Sequence, residues 1–338
     1  MNGSFERVGM ALAEPFEIAR GVQTESETVV VELTHEGMTG VGAAAPSTHY
    51  GETTATVEAV LPRLFEVLPE DPHGIDAAHA AMDRVVNGNP AAKAAIDIAM
   101  HDLVARLHDL PLYRYLGLDA AETPTSSFTV GLAEISEMAR KAETAVEAGY
   151  ETLKVKLGTD RDVEIVETLA EAVPDARLRV DANEAWTPKE AIRTCRSLDG
   201  LVEFVEQPVP AEHPTGMARV TERSPLPIAA DESLVAPADV PAVAEIADIA
   251  NVKLMKCGGI RPAIETLHAA RAHGLETMLG CMIESNASIA AGVQLAPLLD
   301  YADLDGSLLL ADGADPFDGP PVPALDPTGV VGTGARRN

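Results

Sequence analysis

Residues 151–158 read ETLKVKLG, and two lysines occupy alternate positions of this otherwise apolar stretch. The chain has only seven lysines in 338 residues, so the pair Lys154 and Lys156 is unusual. Because side chains alternate across a strand, both lysines share one face, and Leu153 and Val155 point to the other. An exposed edge pair is the alternative, but alternation with Leu and Val in a parallel-sheet pattern argues against it. Since buried ammonium groups are costly, the pattern predicts lysines that face a functional interior.

A repeated order of strand, loop and helix begins at about residue 126 and includes this stretch. Eight strands with intervening helices over about 185 residues fit a closed (β/α) barrel better than an open sheet. The predicted strands lie in SSFTVGL, ETLKVKL, ARLRVDAN, VEFVEQP, PIAADES, IANVKLM, LETMLGCMIES and YADLDGSLLL.

Residues before the barrel predict a separate α+β module. The sequence VVVELTHEGMTGVGAAAP predicts two strands around a glycine-containing turn. Residues 53–68 and 75–107 have a helical period, and Pro62 is expected to kink or divide the first of these helices. We predict that the module covers residues 1–122, that the barrel covers 123–311, and that the Pro-rich segment 312–338 packs back on the module.

Composition indicates an acidic enzyme with a formal net charge of −28. The acids are scattered over predicted helix faces and no basic face is visible, so nucleic-acid binding is not expected. An ordinary acidic enzyme is one interpretation. A surface adapted to high salt is the favoured one, because lysine is depleted while arginine is retained, and salt screens the repulsion among carboxylates.

The remaining composition predicts a cytoplasmic protein. No apolar run approaches the roughly 20 residues of a membrane helix, so no membrane partner is expected, and the N-terminus does not resemble a secretory signal. Cys195, Cys257 and Cys281 are odd in number and lack metal-ligand spacing, so neither disulfides nor zinc is expected.

Charged residues recur at nearly constant intervals at the ends of the predicted strands. The steps from Lys156 to Asp181, from Asp181 to Glu206 and from Glu206 to Asp231 are each 25 residues, and Lys253 follows 22 residues later. A single Asp at a strand end is usually a cap or turn residue. Three acids at one interval are better explained by consecutive strands that bring them to one rim, where active sites of such barrels form.

Three converging carboxylates repel one another unless a cation lies between them. An all-oxygen set favours a hard ion, and Mg²⁺ is the default. Zinc is disfavoured, because no His or Cys occupies these positions, and His213 and His268 fall in helical or loop context. Mutual repulsion between Lys154 and Lys156 would lower a lysine pKa towards the range of a general base. With Lys253 on the opposite side, two lysines could exchange protons on both faces of a bound substrate.

Several of these motifs together resemble the muconate-lactonising subgroup of the enolase superfamily. They are KxK at 154–156, DAN at 181–183, VEQP at 205–208, ADES at 230–233 and NVKLMKCGG at 251–259. PFEIARG and NPAAKAAIDIAMHDL are similar to the capping domain of that family, so the resemblance covers nearly the whole chain. It implies a modified TIM barrel of the enolase type with an N-terminal α+β capping domain.

The resemblance also implies roles for individual residues. Lys156 and Lys253 would be the acid/base groups around an enediolate, and Lys154 would tune Lys156 and help to neutralise the substrate carboxylate. Mg²⁺ would be bound by Asp181, Glu206 and Asp231, with Asn183, Glu232 and Lys256 as supporting residues.

Two late motifs are similar to those of dipeptide epimerases: GCMIES at 280–285, which contains Glu284, and DLDGSLLL at 303–310. The resemblance places Glu284 among the substrate-binding residues and implies that Asp303 and Asp305 hold the substrate ammonium. The alternative is that one of these aspartates caps the following turn. Arg20 lies in the loop where Ala-Glu epimerases carry a glutamate-binding arginine. Anionic, apolar and cationic side chains all remain open for the substrate.

The sequence thus leads to one principal hypothesis: a Mg²⁺-dependent dipeptide epimerase that inverts the α-carbon of the C-terminal residue by two-lysine proton transfer. The alternatives within the superfamily are muconate cycloisomerase, o-succinylbenzoate synthase and N-acylamino acid racemase, whose substrates offer no free ammonium to Asp303 and Asp305. A non-catalytic barrel that acts as a binding protein is the alternative from another class. Assembly into a homo-oligomer is expected from the resemblance.

Overall fold

A three-stranded antiparallel sheet begins the chain in the computed structural model, which describes residues 1–320 and 322–338. Its order is β1-β2-β3, with β1 (Asn2–Ile18), β2 (Gly21–His35) and β3 (Met38–Ala44). The prediction of two strands here was incomplete, because β1 was missed. A signal was available, because Val8, Met10 and Leu12 recur at every second position and alternate with exposed residues, as in a half-buried strand.

Four helices follow the sheet: α1 (Thr54–Phe65), α2 (Ile75–Val85), α3 (Pro90–Leu107) and the short α4 (Leu112–Tyr115). The expectation that Pro62 divides the first helix was wrong, because α1 continues through it to Phe65. A capping box at Thr53 fixes the start of α1, and its buried face holds Leu61 and Leu64 around the proline. The second predicted helical segment is two helices, since Asn89 adopts a left-handed conformation immediately before Pro90 starts α3.

Eight parallel strands form the predicted barrel, in the order β4 to β11 around the sheet. A backbone bridge from Ser126 to Ala302 joins the first strand to the last and nearly closes it. The strands are β4 (Phe128–Val130), β5 (Thr152–Lys156), β6 (Arg177–Asp181), β7 (Val205–Glu206), β8 (Ile228–Ala230), β9 (Ile249–Lys253), β10 (Glu276–Gly280) and β11 (Tyr301–Asp303).

Helices surround these strands. They are α5 (Ile135–Glu147), α6 (Asp162–Ala172), α7 (Pro188–Ser197), α8 (Pro214–Arg223), α9 (Val240–Val243), α10 (Leu254–Cys257), α11 (Ile260–Ala272) and α12 (Asn286–Val293). On β5, Leu153 and Val155 are fully buried in the main apolar core, which includes residues of these helices. Lys154 and Lys156 therefore face the other way, towards the barrel interior, as the alternation predicts.

The last segment packs on the first module, as expected. It contains a short antiparallel pair, β12 (Phe317–Asp318) and β13 (Arg336–Arg337). Arg337 lies 2.9 Å from Glu32 of β2, and the amide of Thr333 donates to Asp102 of α3 at 2.7 Å. The exact domain boundaries remain a prediction. Among the helices of the described residues, none is both long and apolar enough to cross a bilayer.

Candidate active site

Three buried carboxylates converge at the C-terminal ends of β6, β7 and β8. Asp181 ends β6 and Glu206 ends β7, and the two are register partners, while Asp231 follows β8 directly. One ligand oxygen from each residue lies within 4.8 Å of those of the other two. The constant interval in the sequence thus brings the three acids together, as predicted. His213 and His268 are exposed.

The donor set fits a hard divalent cation. Oε2 of Glu206 is buried and has no hydrogen-bond donor among the described residues, although the ammonium of Lys154 lies 3.0 Å from it in a poor orientation. Burial and the neighbouring charge of Asp181 raise the pKa of Glu206 to about 8. A further cation would satisfy the orphaned oxygen and relieve this repulsion. Mg²⁺ prefers such oxygen ligands.

One lysine stands on each side of this carboxylate set. Lys156 on β5 donates to Oδ2 of Asp181 at 2.7 Å, and Lys253 on β9 donates to Oδ2 of Asp231 at 2.7 Å. Glu206 lies between the two aspartates in the strand order. The arrangement therefore offers an amine from each flank of the metal-ligand set.

The ammonium of Lys154 lies deeper and bridges several acids. It lies 3.1 Å from Asp181, 3.0 Å from Glu206 and 2.8 Å from Asp303 on β11. The expected lowering of a lysine pKa is not found here. Burial alone would lower the pKa of Lys154, but Asp303 and Glu206 outweigh it and raise the pKa well above its usual value. The physical reason is that carboxylates surround this ammonium group.

Of the three predicted supporting residues, Asn183 and Lys256 contact the carboxylate set, and Glu232 contacts Asn183. Asn183 donates its backbone amide to Asp181 at 2.9 Å and its side-chain amide to Glu232 at 3.4 Å. Lys256 donates to the side chain and the carbonyl oxygen of Asp231. Burial would raise the pKa of Asp231, but Lys253 and Lys256 hold it well below its usual range.

Sequence reasoning missed two residues that hold this set in place. Asn251 donates to Oε1 of Glu206 at 2.8 Å. Oε1 of Gln207 accepts from the backbone amide of Asp231 at 2.9 Å. A signal for Asn251 was available, because it lies two positions before Lys253 on β9 and so shares its face. Gln207 follows Glu206 in VEQP, but nothing local indicates its partner.

Asp303 and Asp305 border the same space from the opposite side of the barrel. Ser127 donates its hydroxyl to Asp303 at 2.8 Å, and the amide of Thr129 donates to Asp305 at 2.6 Å. Burial and the charge of Asp303 raise the pKa of Asp305 to about 7. Burial opposes ionisation of Asp303 too, but Lys154 keeps its pKa below the usual value. A cation that binds beside Asp305 would therefore reduce the electrostatic repulsion between the two carboxylates.

Arg20 and Glu284 have protein partners in this structure. Arg20 lies 2.7 Å from Glu232 and 3.1 Å from Glu184, so the capping loop is tied to the barrel rim. Glu284 is buried and accepts the backbone amide of Met282 at 2.9 Å. Their assignment as substrate-binding residues stays a prediction.

A cavity of about 700 Å³ lies between the capping module and this rim. Its inner wall includes the three lysines and the aspartate pair, and its outer wall comes from β1, β2 and the loop after β3. The three lysines, the aspartate pair and the capping-loop residues thus border one space. A small amphoteric molecule could contact all three kinds of group at once.

Two domain families match this chain. Residues 4–117 match the mandelate racemase/muconate lactonizing enzyme N-terminal domain, and residues 137–324 match the enolase C-terminal domain-like family. The L-Ala-D/L-Glu epimerase of Bacteroides thetaiotaomicron is 38% identical over 323 residues, which covers 94% of this chain and 83% of that protein.

Solved structures match over the full length. The dipeptide epimerase of Enterococcus faecalis, complexed with Mg and L-Leu-L-Tyr, is 35% identical with a TM-score of 0.92 and covers 98% of both chains. The N-succinyl Arg/Lys racemase of Bacillus cereus is 30% identical with a TM-score of 0.93, and covers 100% of this chain and 96% of that chain. The expected fold and the family resemblance are therefore confirmed.

Proposed function

We propose that this chain, which belongs to the mandelate racemase/muconate lactonizing enzyme family of the enolase superfamily, is a Mg²⁺-dependent dipeptide epimerase. It would invert the α-carbon of the C-terminal residue of the dipeptide. Two relatives named as such epimerases are 38% and 35% identical to this chain, and each alignment covers most of both proteins. One of them was solved in complex with Mg and a dipeptide.

A single observation carries the proposal: one cavity is bordered by two opposed lysines and by a buried aspartate pair. A dipeptide has an acidic α-carbon next to a carboxylate and a free ammonium at its other end. Lys156 and Lys253 would serve the first feature, and Asp303 with Asp305 would serve the second. Each feature of the substrate would therefore meet a complementary group.

The reaction requires one neutral lysine and one protonated lysine. The neutral amine takes the proton from the α-carbon, and the ammonium on the opposite flank donates its proton to the other face. Lys154 neutralises the substrate carboxylate. When bound at Asp181, Glu206 and Asp231, the divalent cation would stabilise the negative charge that develops on that carboxylate and would compete with the lysines for their aspartates. The chain's overall proton count is unchanged, and the two lysines exchange roles in each turnover.

The test is deuterium incorporation at the α-carbon. A dipeptide library is incubated with the enzyme and Mg²⁺ in D₂O, and exchange is followed by NMR and mass spectrometry. We expect exchange together with formation of the second diastereomer, and loss of both when Mg²⁺ is removed by EDTA. Absence of exchange with every dipeptide would refute the proposal.

N-acylamino acid racemisation is the second candidate, because the Bacillus cereus racemase has an equally similar structure. An N-succinyl amino acid has no free α-ammonium and offers a second carboxylate to the acidic pair. Comparison of L-Ala-L-Lys with N-succinyl-L-Lys distinguishes the two reactions. Muconate cycloisomerase and o-succinylbenzoate synthase activities would likewise leave Asp303 and Asp305 without a substrate partner. A purely binding protein would retain ligand affinity without any exchange.

The net charge of −28 supports the proposals that the protein works in a salt-rich cytoplasm and has no nucleic-acid partner. Assembly as a homo-oligomer without a membrane partner is proposed from the family resemblance and the sequence. Screening should make the stability of the protein rise with KCl up to molar concentrations. Unfolding curves in increasing KCl and light scattering test the salt response and the assembly state.

A further inference from the structure

Arg20, the loop arginine that could bind an acidic substrate, is already paired with carboxylates of the protein. The guanidinium of Arg20 contacts two carboxylates, Glu232 at 2.7 Å and Glu184 at 3.1 Å, and it also donates to the carbonyl of Asn183 at 3.2 Å. Glu232 is almost fully buried, so removal of its cation would leave a costly unpaired charge. Arg20 therefore acts here as a clamp between the capping loop and the barrel.

The other cationic side chains that border the cavity are also paired with carboxylates. Lys154 contacts Asp303, Lys156 contacts Asp181, and Lys253 contacts Asp231. Nε2 of His49 lies 3.5 Å from Glu184, in the same group as Arg20. Within the described part of the chain, every lysine and arginine that lines the cavity is paired with a carboxylate. An anionic substrate side chain would find no unpaired cation there.

The outer wall instead offers two acidic side chains that have no ion-pair partner among the described residues. Glu25 lines the cavity, is exposed, and makes no ion pair with any described residue. Glu52 lines the same cavity with only 3% of its surface exposed. Its Oε2 accepts the amide of Ala91 at 3.0 Å, but its buried Oε1 has no donor among the described residues. Glu27, by contrast, is neutralised by Arg7.

We propose that this cavity selects dipeptides with a cationic side chain over dipeptides with an anionic one, and that Glu25 and Glu52 accept the cation. The inference rests on the proposed function and specifies its substrate class. A lysine or arginine side chain would supply the donor that Oε1 of Glu52 lacks, whereas a glutamate side chain would add repulsion.

The test compares kcat/KM for three dipeptides whose second side chains have the same number of heavy atoms, L-Ala-L-Lys, L-Ala-L-Gln and L-Ala-L-Glu, in Mg²⁺ buffer at one ionic strength. The reversed series L-Lys-L-Ala, L-Gln-L-Ala and L-Glu-L-Ala shows which residue of the dipeptide carries the preference. We expect Lys to exceed Glu by at least about tenfold in one of the two series. Turnover with Glu equal to or better than Lys in both series overturns this inference but leaves epimerase activity intact. No turnover of these six dipeptides, while other members of the library show exchange, would also overturn this inference, and only absence of exchange with every dipeptide defeats the proposed function.

Two variants assign the preference to residues. Glu25→Gln should lower the ratio of Lys to Gln turnover by about two- to fivefold, as for an exposed ion pair. Glu52→Gln should lower it by roughly tenfold, as for a buried charged hydrogen bond. Glu17→Gln, on the neighbouring strand and outside the cavity lining, removes the same charge and should leave the ratio unchanged. A ratio unmoved by both cavity variants contradicts the assignment.

Arg20→Met separates the clamp from a substrate-binding role. As a clamp, Arg20 supports all substrates, so the variant should lower kcat/KM for the Lys, Gln and Glu dipeptides by similar factors. A selective loss of the Glu dipeptide alone would show that Arg20 binds the substrate, and it would overturn the inference. Circular dichroism confirms that each variant is folded.

Discussion

Lys154 on β5 and Asp303 on β11 lie 2.8 Å apart, from Nζ to Oδ2, across the interior of the barrel. Because the same ammonium also contacts Asp181 and Glu206, a single cation connects the metal-ligand carboxylates to the proposed ammonium-binding pair. The charge balance on the two sides of the cavity is therefore coupled.

Removal of this cation should expose the repulsion among the carboxylates. Lys154→Met is expected to destabilise the protein by about 3 kcal/mol in EDTA, since it leaves buried acids without their partner. Saturating Mg²⁺ should then stabilise the variant more than it stabilises the wild type. Urea unfolding with and without Mg²⁺ measures both quantities. Lys141→Met, which breaks a partly exposed pair with Glu14, serves as the control and should cost under about 1 kcal/mol. Equal Mg²⁺ stabilisation of variant and wild type would contradict the coupling.

Magnesium affinity should depend on pH through Glu206. Burial and Asp181 raise its pKa to about 8, so below this pH a proton competes with the metal. We expect affinity to rise between pH 6 and pH 8 by up to roughly tenfold per unit, with proton release on binding. Calorimetry in buffers of different ionisation enthalpy counts these protons. Glu206→Gln should lose metal binding, and an affinity independent of pH would show that Glu206 is ionised throughout.

Each proposed acid/base lysine should leave a stereochemical signature. Lys156→Ala and Lys253→Ala should each reduce epimerisation by about 10³-fold, because one of the two proton transfers is lost. Each variant should still exchange the α-proton of one diastereomer only, and the two variants should differ in which one. NMR of separately prepared L,L and L,D dipeptides in D₂O records this. Lys189→Ala, at an exposed position, is the control. Exchange of both diastereomers by either variant would be incompatible with two opposed bases.

The negative charge of Asp305 should lower the stability of the folded protein but favour binding of the substrate ammonium. Folding raises the pKa of Asp305 to about 7 by burial and by the charge of Asp303. Its contribution to stability is complete below pH 4 and is lost as the pH rises to 7, at up to about 1.4 kcal/mol per pH unit. Asp305→Asn should therefore be more stable than the wild type at pH 8 and similar to it at pH 4. It should also lose turnover of dipeptides, since the ammonium loses its partner.

Urea unfolding in EDTA at both pH values tests this prediction. Asp312→Asn, at an exposed aspartate, controls for the loss of one negative charge in an acidic protein. If Asp305→Asn gained no more stability at pH 8 than the control, ionisation of the Asp305 carboxyl would not destabilise the folded protein, and the prediction would be wrong. If it kept full activity, the superfamily reactions without a substrate ammonium would gain support.

The sequence located the carboxylate set because its signals are local. Alternation on β5 placed both lysines on the inner face, and one residue per strand-helix unit placed Asp181, Glu206 and Asp231 at one rim. The missed strand β1 carries a local signal too, because Val8, Met10 and Leu12 recur at every second position, although most of its other residues are exposed.

Electrostatic environment was harder to predict than position. The sequence shows Lys154 next to Lys156, which suggested a lowered pKa. The fold adds Asp303 from a strand 149 residues away, and this carboxylate helps to reverse the direction of the shift. The sequence around Arg20 likewise shows no ion-pair partner for it, because its partners Glu184 and Glu232 are distant in the chain and contact it only in the folded protein. Pairings between distant residues carry no periodic signal.

The site is nearly symmetrical about Glu206, with Asp181 and Lys156 on one side and Asp231 and Lys253 on the other. Such a catalyst has no built-in preference for the handedness of its starting material. It would act as an equilibrator, and the net flux between the two diastereomers would be set by whichever later reaction consumes one of them.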